Sequence, residues 1–506
     1  MLAKYTGYTL IGLDGEAVEV EIDTSSGLPS FDIVGLPDTA VKESKERVRS
    51  AIKNSGKRFP NQKLTVNLAP ADLKKEGAGL DLPIAVGIIK ASGQFEDKDL
   101  PDTVFIGELS LDGTVRGVTG ILPMLISARA HGYKKAIIPF ANAKEGEYID
   151  GVEIRTAKNL KEICEYFEGV SELPVVQKLD YSVISENKKY THDISYVKGQ
   201  YVARRAMEVA VSGNHNIILV GPPGAGKTML AKCLPSIMPD MSFEEALETT
   251  KIHSAAGKLS SEEGIVYKRP YVTPHHTATS VAIIGGGVSA KPGIISLAHN
   301  GVLYLDEMAE YPRAVLESLR QPLEDRVITV SRAKASVKYP ASFMMVGSMN
   351  PCPCGYFGSK QGECKCTAAQ ILKYKAKVSG PLMDRMDIRI TVDSVKYDEL
   401  VEKAKGEDSD TVRKRVNRTR LIQRERFLDE DINSNAEMSE KHLSVYCKLS
   451  AECEKIMRTA FENLKLSARA RSRIIKVART IADMELSQDI EPKHLLEAIG
   501  YRSEEV

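Results

Sequence analysis

Short apolar runs and longer amphipathic stretches alternate over the first third of the chain. Apolar and polar residues alternate in EAVEVEID (16–23) and KLTVNLAP (63–70), and KKAIIPF (134–140) is a short apolar run, so each predicts a β-strand. AVKESKERVRSAIKNSG (40–56) has the pattern of an amphipathic helix. With Gly-rich turns between these elements, residues 1–170 predict a self-contained α/β or α+β domain.

The pattern changes after residue 170. Residues 171–190 have mixed polarity and little periodicity, which predicts a linker. A helical stretch then leads into the buried-strand pattern NIILV (216–220), and residues 191–395 predict an α/β core. From residue 396 to 506 the chain is charged and helical with few strand signals, which predicts an all-helical third domain. The predicted fold class is therefore a multidomain α/β protein.

The composition fits several ordinary globular domains. The chain has 506 residues, of which 42% are hydrophobic and 27% charged, so wholesale disorder, collagen-like repeats and membrane burial fit poorly. No stretch has the pattern of a signal peptide or a spanning helix, and we expect no membrane partner and a cytoplasmic location. Lys plus Arg number 69 and Asp plus Glu 68, so any polyanion partner has to meet a local patch.

The segment GPPGAGKT fits the phosphate-loop pattern G-x-x-x-x-G-K-[ST] and lies between the apolar run NIILV and the helical stretch TMLAKCL. In such a loop the backbone N–H groups surround phosphates, the Lys reaches the β- and γ-phosphates, and the hydroxyl ligates Mg²⁺. A Gly-rich turn beside a surface lysine is the weaker interpretation, because strand, loop and helix come in the required order. The candidate ATP-binding residues are Gly221, Pro222, Pro223, Gly224, Ala225, Gly226, Lys227 and Thr228.

Two further apolar runs end in polar residues. GVLYLDE (301–307) ends in Asp306 and Glu307, which suit Mg²⁺ binding and activation of the attacking water, respectively. ASFMMVGSMN (341–350) ends in Asn350, an amide placed to orient water near the γ-phosphate. A helix N-cap pair and a turn Asn are the ordinary alternatives. Together the three strand ends resemble the Walker A, Walker B and sensor 1 arrangement of AAA+ ATPases.

Two arginines lie beyond these strands. Arg385 is in SGPLMDRMDIRI, and Arg469 is in the helical stretch LKLSARARSRII. Taken alone, each is more often an ordinary surface residue. Their positions match an arginine finger acting on a neighbouring subunit and a sensor 2 arginine of the helical lid. If Arg385 acts in trans, hydrolysis needs an oligomer.

Several longer motifs carry a resemblance to a known family. The chain resembles the YifB/ComM family of magnesium-chelatase-like AAA+ ATPases in VTPHHTATSVAIIGGG (272–287), KPGIISLAHNGVLYLDEM (291–308), LRQPLEDRVITVSRA (319–333), MNPCPCGYFG (349–358), SGPLMDRMDI (379–388) and LSARARSRIIKVARTIADME (466–485). The resemblance implies an ATP- and Mg²⁺-dependent, hexameric helicase that moves branched DNA during recombination or natural transformation. It also implies binding of branched or single-stranded DNA without sequence preference.

The N-terminal domain is similar to the Lon protease catalytic domain, of the ribosomal-S5-domain-2-like fold, through KKEGAGLDLPIAVGI (74–88) and IGELSLDGTVRGVTGILPMLISARAHGYKKAIIP (106–139). The position of Lon's nucleophilic Ser is occupied by Gly79, and the region of its Lys is Gly120-Ile-Leu-Pro-Met124. A serine–lysine mechanism needs a hydroxyl and an amine. We therefore expect a proteolytically inactive domain for assembly or binding.

Four of the eight cysteines form two C-x-C pairs in a Gly-rich loop directly after Asn350: Cys352, Cys354, Cys364 and Cys366. Four thiolates suit tetrahedral Zn²⁺, although the pairs are tighter than the usual C-x₂₋₄-C spacing. Four reduced thiols in a flexible loop are the alternative. Zn²⁺ is favoured because the loop has almost no apolar residues to fold around.

Two basic stretches are candidate DNA contacts. TVRKRVNRTRLIQRERF (411–427) includes Arg413, Lys414, Arg415 and Arg418, and either contacts phosphates or forms the solvated face of an amphipathic helix. DRVITVSRAKASVKYP (325–340) predicts two strands with Arg332 and Lys334 in the turn. In the family fold this hairpin would face the ring pore, and an ordinary surface hairpin is the alternative.

Three functions compete with a DNA motor. One is a chelatase-type motor that remodels a protein partner for Mg²⁺ insertion into a tetrapyrrole. Another is a protein-binding module whose ATP state controls assembly. A Lon-type protease is disfavoured by Gly79. Stimulation of ATP hydrolysis by DNA separates the motor on DNA from the others.

Overall fold

The computed structural model divides into two compact units, Met1–Glu186 with Phe243–Tyr267, and Asn187–Ser242 with Lys268–Val506. Among the helices that the structure describes, none is long and apolar enough to cross a membrane. The described residues are 2–94, 102–186, 188–260, 262–287, 290–331, 336–359, 362–395 and 406–503.

A mixed β-sheet of seven strands forms the centre of the first unit. The described strands of this unit are β1 Leu2–Ile11, β2 Asp14–Ser25, β3 Ser30–Val34, β4 Lys63–Ala69, β5 Thr103–Phe105, β6 Glu108–Leu109, β7 Val115–Arg116, β8 Lys135–Pro139 and β9 Glu153–Ala157. Seven strands follow the order β3-β4-β2-β1-β5-β8-β9, and β6 pairs with β7. β2 is antiparallel to β1 and β4, whereas β5, β8 and β9 run parallel. The alternation in β2 buries Val18, Val20 and Ile22 on one face and leaves Glu19 exposed on the other.

Helices cover this sheet, numbered here along the whole chain: α1 Thr39–Asn54, α2 Asp81–Ala91, α3 Ile121–Ala130, α4 Ala143–Gly146, α5 Leu160–Phe167, α6 Tyr181–Glu186 and α9 Phe243–Ala255. Short 3₁₀ turns lie at Ala78–Leu80 and Phe140–Asn142. The Asp38 carboxylate caps α1 by accepting a hydrogen bond from Val41 N at 2.8 Å. α2 is apolar almost all round and buried, as expected of a helix in the core.

The segment Phe243–Tyr267 is an excursion from the α/β core that packs with the first unit. Ser254 Oγ donates a hydrogen bond to Glu145 Oε2 at 2.6 Å, and Leu122 N donates to the same oxygen at 3.2 Å. Burial raises the pKa of Glu145. The boundaries predicted from the sequence place this segment inside 191–395. Local periodicity gives no signal that a segment inserted in one unit packs with another.

The predicted linker is partly folded. Val176 N donates to Ile154 O at 2.8 Å, and both Leu173 and Val176 are buried. The first part of 171–190 therefore packs on the first unit.

A five-stranded parallel sheet forms the centre of the second unit, in the order β11-β14-β17-β10-β18. The described strands of the second unit, five of which form this sheet, are β10 Ile217–Val220, β11 Tyr271–Val272, β12 Gly285–Gly286, β13 Lys291–Pro292, β14 Val302–Leu305, β15 Val327–Ser331, β16 Ser336–Pro340, β17 Met344–Met349 and β18 Ile388–Thr391. β10, β14 and β17 are buried along their whole length, which explains their continuous apolar runs. The remaining strands pair as β12–β13 and β15–β16.

The helices of the second unit fall into a core set and a C-terminal set. The core set is α7 Tyr201–Gly213, α8 Lys227–Ile237, α10 Ser280–Ile284, α11 Ile294–Leu297, α12 Arg313–Ser318, α13 Arg320–Asp325, α14 Ala368–Lys375 and α15 Gly380–Met383. The C-terminal set, the helical lid, is α16 Ser409–Arg426, α17 Glu440–Tyr446, α18 Ala451–Asn463, α19 Ala468–Met484 and α20 Pro492–Ser503. Short 3₁₀ turns lie at Ile194–Tyr196, Met308–Glu310 and Asn435–Glu437. The predicted fold class is confirmed: an α+β N-terminal unit, a parallel α/β core and a helical lid.

Candidate nucleotide site

The phosphate loop, residues 221–226, joins β10, which lies between β17 and β18, to α8. Gly221 N donates to Met349 O at 3.2 Å, and a Cβ at Gly221 would overlap the carbonyl oxygen of Val392. Gly224 and Gly226 have φ of +78° and +90°, the left-handed region that favours glycine. The sequence therefore has glycines where the loop needs close approach and reversed backbone, and the N-terminus of α8 points its free N–H groups into the loop.

Lys227 is held at the centre of this loop. Its Nζ donates to Gly221 O at 2.6 Å, to Pro222 O at 2.9 Å and to Asn350 Oδ1 at 3.1 Å. Burial lowers the pKa of Lys227, and the neighbouring carboxylates oppose that shift. The contact with Asn350 shows that the ends of β10 and β17 meet, as the sequence predicts.

Asp306 lies at the end of β14 with its carboxylate fixed by three hydroxyl groups. Ser348 Oγ donates to Oδ1 at 2.5 Å, Tyr304 OH donates to Oδ1 at 2.9 Å, and Thr228 Oγ1 donates to Oδ2 at 3.2 Å. Burial works to raise the pKa of Asp306, but these hydrogen bonds outweigh it and the pKa is lowered. Asp306 and Thr228 thus form an ionised carboxylate and a hydroxyl in contact, a donor set that fits Mg²⁺.

Glu307 is exposed next to this carboxylate in a strained backbone conformation. Its φ of +50° and ψ of 48° are left-handed, which is uncommon for a residue with a Cβ. Its N–H donates to Asp306 Oδ1 at 3.1 Å and to Ser348 Oγ at 3.2 Å, which helps to hold the conformation. The turn leaves the Glu307 side chain exposed and outside the core. A general base that activates water has to be accessible in this way.

Three residues of this site were not predicted from the sequence. Tyr304 and Ser348 fix Asp306, and Gln200 Nε2 donates to Ala225 O at 3.2 Å and to Asp393 O at 2.5 Å. Tyr304 lies two residues before Asp306 on one strand, so a shared face is a signal that period-two reasoning offers. Gln200 and Ser348 depend on contacts between distant segments and give no such signal.

Arg385 lies between α15 and β18 and is buried in the single chain, with 5% of its surface exposed. Its Nη2 lies 2.5 Å from Glu324 Oε1, and its Nη1 donates to Pro381 O at 2.7 Å. None of these partners belongs to the phosphate loop. Its role as a trans-acting finger stays a prediction.

Arg469 lies in the first turn of α19 and is exposed. One turn further along, Arg473 Nη1 lies 2.5 Å from Asp387 Oδ1, and Asp387 Oδ2 accepts from Asn216 N just before β10. This ion pair and hydrogen bond connect the lid to the start of β10. The sensor 2 role of Arg469 stays a prediction.

The four cysteines of the predicted metal site come together, with all four sulfur atoms within 4.8 Å of one another. Cys352 Sγ lies 3.3 Å from Cys354 Sγ and 3.8 Å from Cys364 Sγ, and the latter two are 3.7 Å apart. Phe357 N donates to Cys352 Sγ at 3.3 Å. Tetrahedral Zn²⁺ with bonds of about 2.3 Å needs sulfurs about 3.8 Å apart, so the cluster fits the ion.

The basic run 411–427 forms α16, and much of its charge is already paired. Arg426 pairs with Asp483, and Arg420 is buried. Arg418 is exposed. The candidate DNA contacts in this helix pair with carboxylates as Arg413–Asp410 at 2.6 Å, Lys414–Asp410 at 2.8 Å and Arg415–Glu208 at 2.8 Å. The arrangement favours the amphipathic-helix interpretation over a free phosphate-binding face.

The predicted hairpin is present as β15 and β16, with Val327 opposite Pro340 and Ser331 opposite Ser336. The predicted DNA contacts Arg332 and Lys334 lie outside the described residues. Lys338 on β16 is exposed.

In the first unit, Gly79 lies in the 3₁₀ turn before α2, and a Cβ there would be 3.3 Å from Val118 Cγ1. Gly120 caps α3 with φ of +80°. Gly79 thus faces Val118, which precedes the segment Gly120–Met124, and neither Gly79 nor Val118 has a hydroxyl or an amine on its side chain.

A phosphate loop between parallel strands, acidic residues on one neighbouring strand, an amide on another, and a helical lid define a AAA+ ATPase. Comparisons with known proteins agree. The family model "Magnesium chelatase, subunit ChlI" matches residues 193–400, "Subunit ChlI of Mg-chelatase" matches 20–142, and "Magnesium chelatase, subunit ChlI C-terminal" matches 406–502.

Individual relatives match nearly the whole chain. Competence protein ComM of Haemophilus influenzae is 40% identical over 496 residues, covering 97% of this chain and 96% of that protein. YifB of Escherichia coli is 40% identical over 494 residues, covering 97% and 95%. The chain therefore belongs to the YifB/ComM family of magnesium-chelatase-like AAA+ ATPases. Lon protease 2 of Bacillus subtilis is 26% identical over 164 residues, 29% of each chain, which agrees with a Lon-like N-terminal unit.

Proposed function

We propose that this AAA+ ATPase is an ATP-driven ring motor acting on DNA in the cytoplasm, as a branch-migration helicase in recombination or natural transformation. The observation that carries the proposal is the 40% identity to competence protein ComM over 97% of the chain. The phosphate-loop geometry supports the ATP-dependent part independently.

The residues of the site divide the work of ATP hydrolysis. Lys227 and the N-terminus of α8 bind the β- and γ-phosphates, and Thr228 and Asp306 would hold Mg²⁺. When bound, Mg²⁺ neutralises the charge that develops on the phosphate oxygens. Glu307 accepts the proton of the attacking water, and Asn350, already beside the Lys227 ammonium, orients that water.

A ring is part of the proposal because Arg385, as an arginine finger, would complete the nucleotide site of a neighbouring subunit, with Arg469 as the sensor 2 arginine of the lid. We propose a homo-oligomer, a hexamer by family resemblance. Arg469 is exposed at the start of α19, so its guanidinium is accessible to a bound nucleotide. Arg385 would exchange its contact with Glu324 for the neighbour's nucleotide. Arginine fingers contribute about 10³ to 10⁵ to turnover.

We also propose that Cys352, Cys354, Cys364 and Cys366 bind one Zn²⁺. The sulfur separations suit a tetrahedron, and Phe357 N–H donates to a sulfur as it would to a thiolate. Metal analysis of untagged protein should give about one Zn²⁺ per chain, which the double variant Cys352→Ser/Cys354→Ser should lose. Protein free of zinc when purified without chelator would contradict this assignment.

The DNA proposal is tested by ATP hydrolysis with forked, single-stranded and duplex DNA, in parallel with strand displacement on a labelled branched substrate. A motor on branched DNA hydrolyses ATP several-fold faster with the fork and displaces the strand only with ATP and Mg²⁺. The variant Glu307→Gln is the control, because it should bind DNA but not displace a strand. A rate of ATP hydrolysis that is the same with and without each of the three DNAs would overturn the proposal.

A protein-remodelling motor of the chelatase type is the second candidate. The observation that favours it is that the three family models are those of a magnesium chelatase subunit and that most candidate cations of α16 are paired within the chain. It predicts ATP hydrolysis unaffected by DNA and stimulated by a protein partner.

A further inference from the structure

The cysteine loop, residues 352–366, lies against the phosphate loop. Gly355 packs so closely on Pro223 that a Cβ at Gly355 would lie 2.5 Å from Pro223 Cδ and 2.8 Å from its Cγ. The same Cβ would lie 3.8 Å from Asn350 Cγ. One side of the cysteine loop is therefore a wall of the nucleotide site.

The loop is anchored at both ends next to the site. It begins directly after Asn350 and Pro351, and Thr367 after its last cysteine caps α14 in a capping box with Gln370. Between these ends its residues are mostly small, polar or charged, so packing of apolar side chains contributes little to its conformation. Among its described residues, the four sulfurs come together and Gly362 packs on the ring of Tyr356.

We propose that Zn²⁺ bound by the cysteine loop fixes the conformation of the phosphate loop through the Gly355–Pro223 contact, so that nucleotide affinity depends on zinc. The inference rests on the proposed binding of ATP at this loop and assigns the metal a role in that binding. A metal joins 352–354 to 364–366, and Gly355 is the residue next to a ligand. Losing the metal frees Gly355, and with it the support behind Pro223.

Glycine substitutions separate this support from metal binding itself. Gly355 and Gly358 both lie in the cysteine loop with left-handed φ, +83° and +72°. Alanine therefore imposes similar backbone strain at either position. A Cβ at Gly358 meets no heavy atom within 4 Å, whereas one at Gly355 meets Pro223. Gly358→Ala is thus the matched control for Gly355→Ala.

The experiment measures zinc content, thermal unfolding and the affinity for a fluorescent ATP analogue with Mg²⁺. We expect Gly355→Ala to keep its Zn²⁺ and to bind the analogue about tenfold more weakly, while Gly358→Ala stays within about twofold of the wild type. Wild-type protein stripped by a chelator should lose affinity at least tenfold and regain it on addition of Zn²⁺ alone.

The possible outcomes distinguish the role of zinc from the binding of ATP. Unchanged affinity in stripped wild-type protein, or equal affinity of the two glycine variants, would overturn the role of zinc while leaving the ATPase assignment intact. A zinc-loaded wild type that does not bind the analogue would overturn both. Because Gly355→Ala changes no metal ligand, the test does not depend on cysteine variants that fail to fold.

Discussion

Ser348 offers the most direct test of how the site prepares Asp306. Its hydroxyl donates to Asp306 Oδ1 at 2.5 Å and accepts from Glu307 N at 3.2 Å, so it supports both acidic residues. Ser348→Ala removes this hydroxyl and leaves the buried strand β17 otherwise unchanged. The carboxylate keeps the hydrogen bonds from Tyr304 and Thr228 but is held less firmly.

The size of the effect follows from the type of hydrogen bond. A hydrogen bond to a charged group contributes about 1.5–3 kcal/mol. Asp306 is only half-buried, so solvent screens the interaction and the lower end of this range applies. About 1.5 kcal/mol corresponds to roughly a tenfold loss of kcat/KM for ATP hydrolysis.

The variant also shifts the pH dependence in a fixed direction. The pKa of Asp306 is lowered in the folded protein, so the ionised form that binds Mg²⁺ is present above this pKa and is lost as the pH falls through it. Without Ser348 Oγ the pKa moves back up towards the ordinary value. We expect the acid limb of the hydrolysis profile to move to higher pH, and more Mg²⁺ to be needed for half-maximal rate.

Steady-state hydrolysis measured against Mg²⁺ concentration and pH tests both expectations. Ser212→Ala is the matched control: Ser212 is fully buried in α7, and its Oγ has no hydrogen-bond partner among the described residues. That change should leave turnover within about twofold. If Ser348→Ala has the same kcat/KM and the same acid limb as Ser212→Ala, the proposed role of the hydroxyl is wrong.

Three further variants test the remaining parts of the site. Lys227→Ala should weaken binding of Mg²⁺-ATP at least tenfold, since the phosphates lose their cation, and unchanged affinity by titration would contradict it. Glu307→Gln should bind ATP normally but lose about 10²- to 10⁴-fold in turnover, and normal steady-state hydrolysis would refute the general-base role. Arg385→Ala should be nearly inactive alone and recover some hydrolysis when mixed with Glu307→Gln, increasingly at higher protein concentration, because only mixed rings pair an intact Glu307 with an intact Arg385. A mixture that forms verified mixed rings yet shows no single-turnover hydrolysis would mean that Arg385 does not act in trans.

The sequence predicts the centre of the nucleotide site because its signals are local. A glycine pattern, an acidic pair and an amide each follow an apolar run, and parallel strands bring such ends to one edge of a sheet. Lys227, Asp306 and Asn350 meet for this reason. The role of Ser348 could not be predicted in this way, because a serine inside an apolar run resembles a core residue. Its contact with Asp306 depends on β17 lying beside β14 in the fold.

The packing of residues 243–267 with the first unit could not be predicted for a related reason. Residues 243–267 have ordinary helical periodicity, and no local sequence pattern indicates which unit their apolar face contacts. The hydroxyl of Ser254 meets the buried carboxylate of Glu145, 109 residues earlier in the chain. Packing partners at that separation are a property of the fold and not of the pattern.

The basic helix α16 shows how far partners in the fold change the meaning of charge. By composition, 411–427 is among the most cationic parts of the chain, yet Arg415 pairs with Glu208, 207 residues away, and Arg426 pairs with Asp483. A paired arginine has to break its ion pair with a carboxylate before it can contact a phosphate. Its contact with DNA therefore contributes less to the free energy of binding than a contact from an unpaired cation. DNA affinity attributed to this helix should therefore come chiefly from Arg418, and the salt dependence of binding should be shallower than seven basic residues would suggest. The proposal of a motor on DNA then rests on the identity to competence protein ComM and not on the helix that the sequence makes conspicuous.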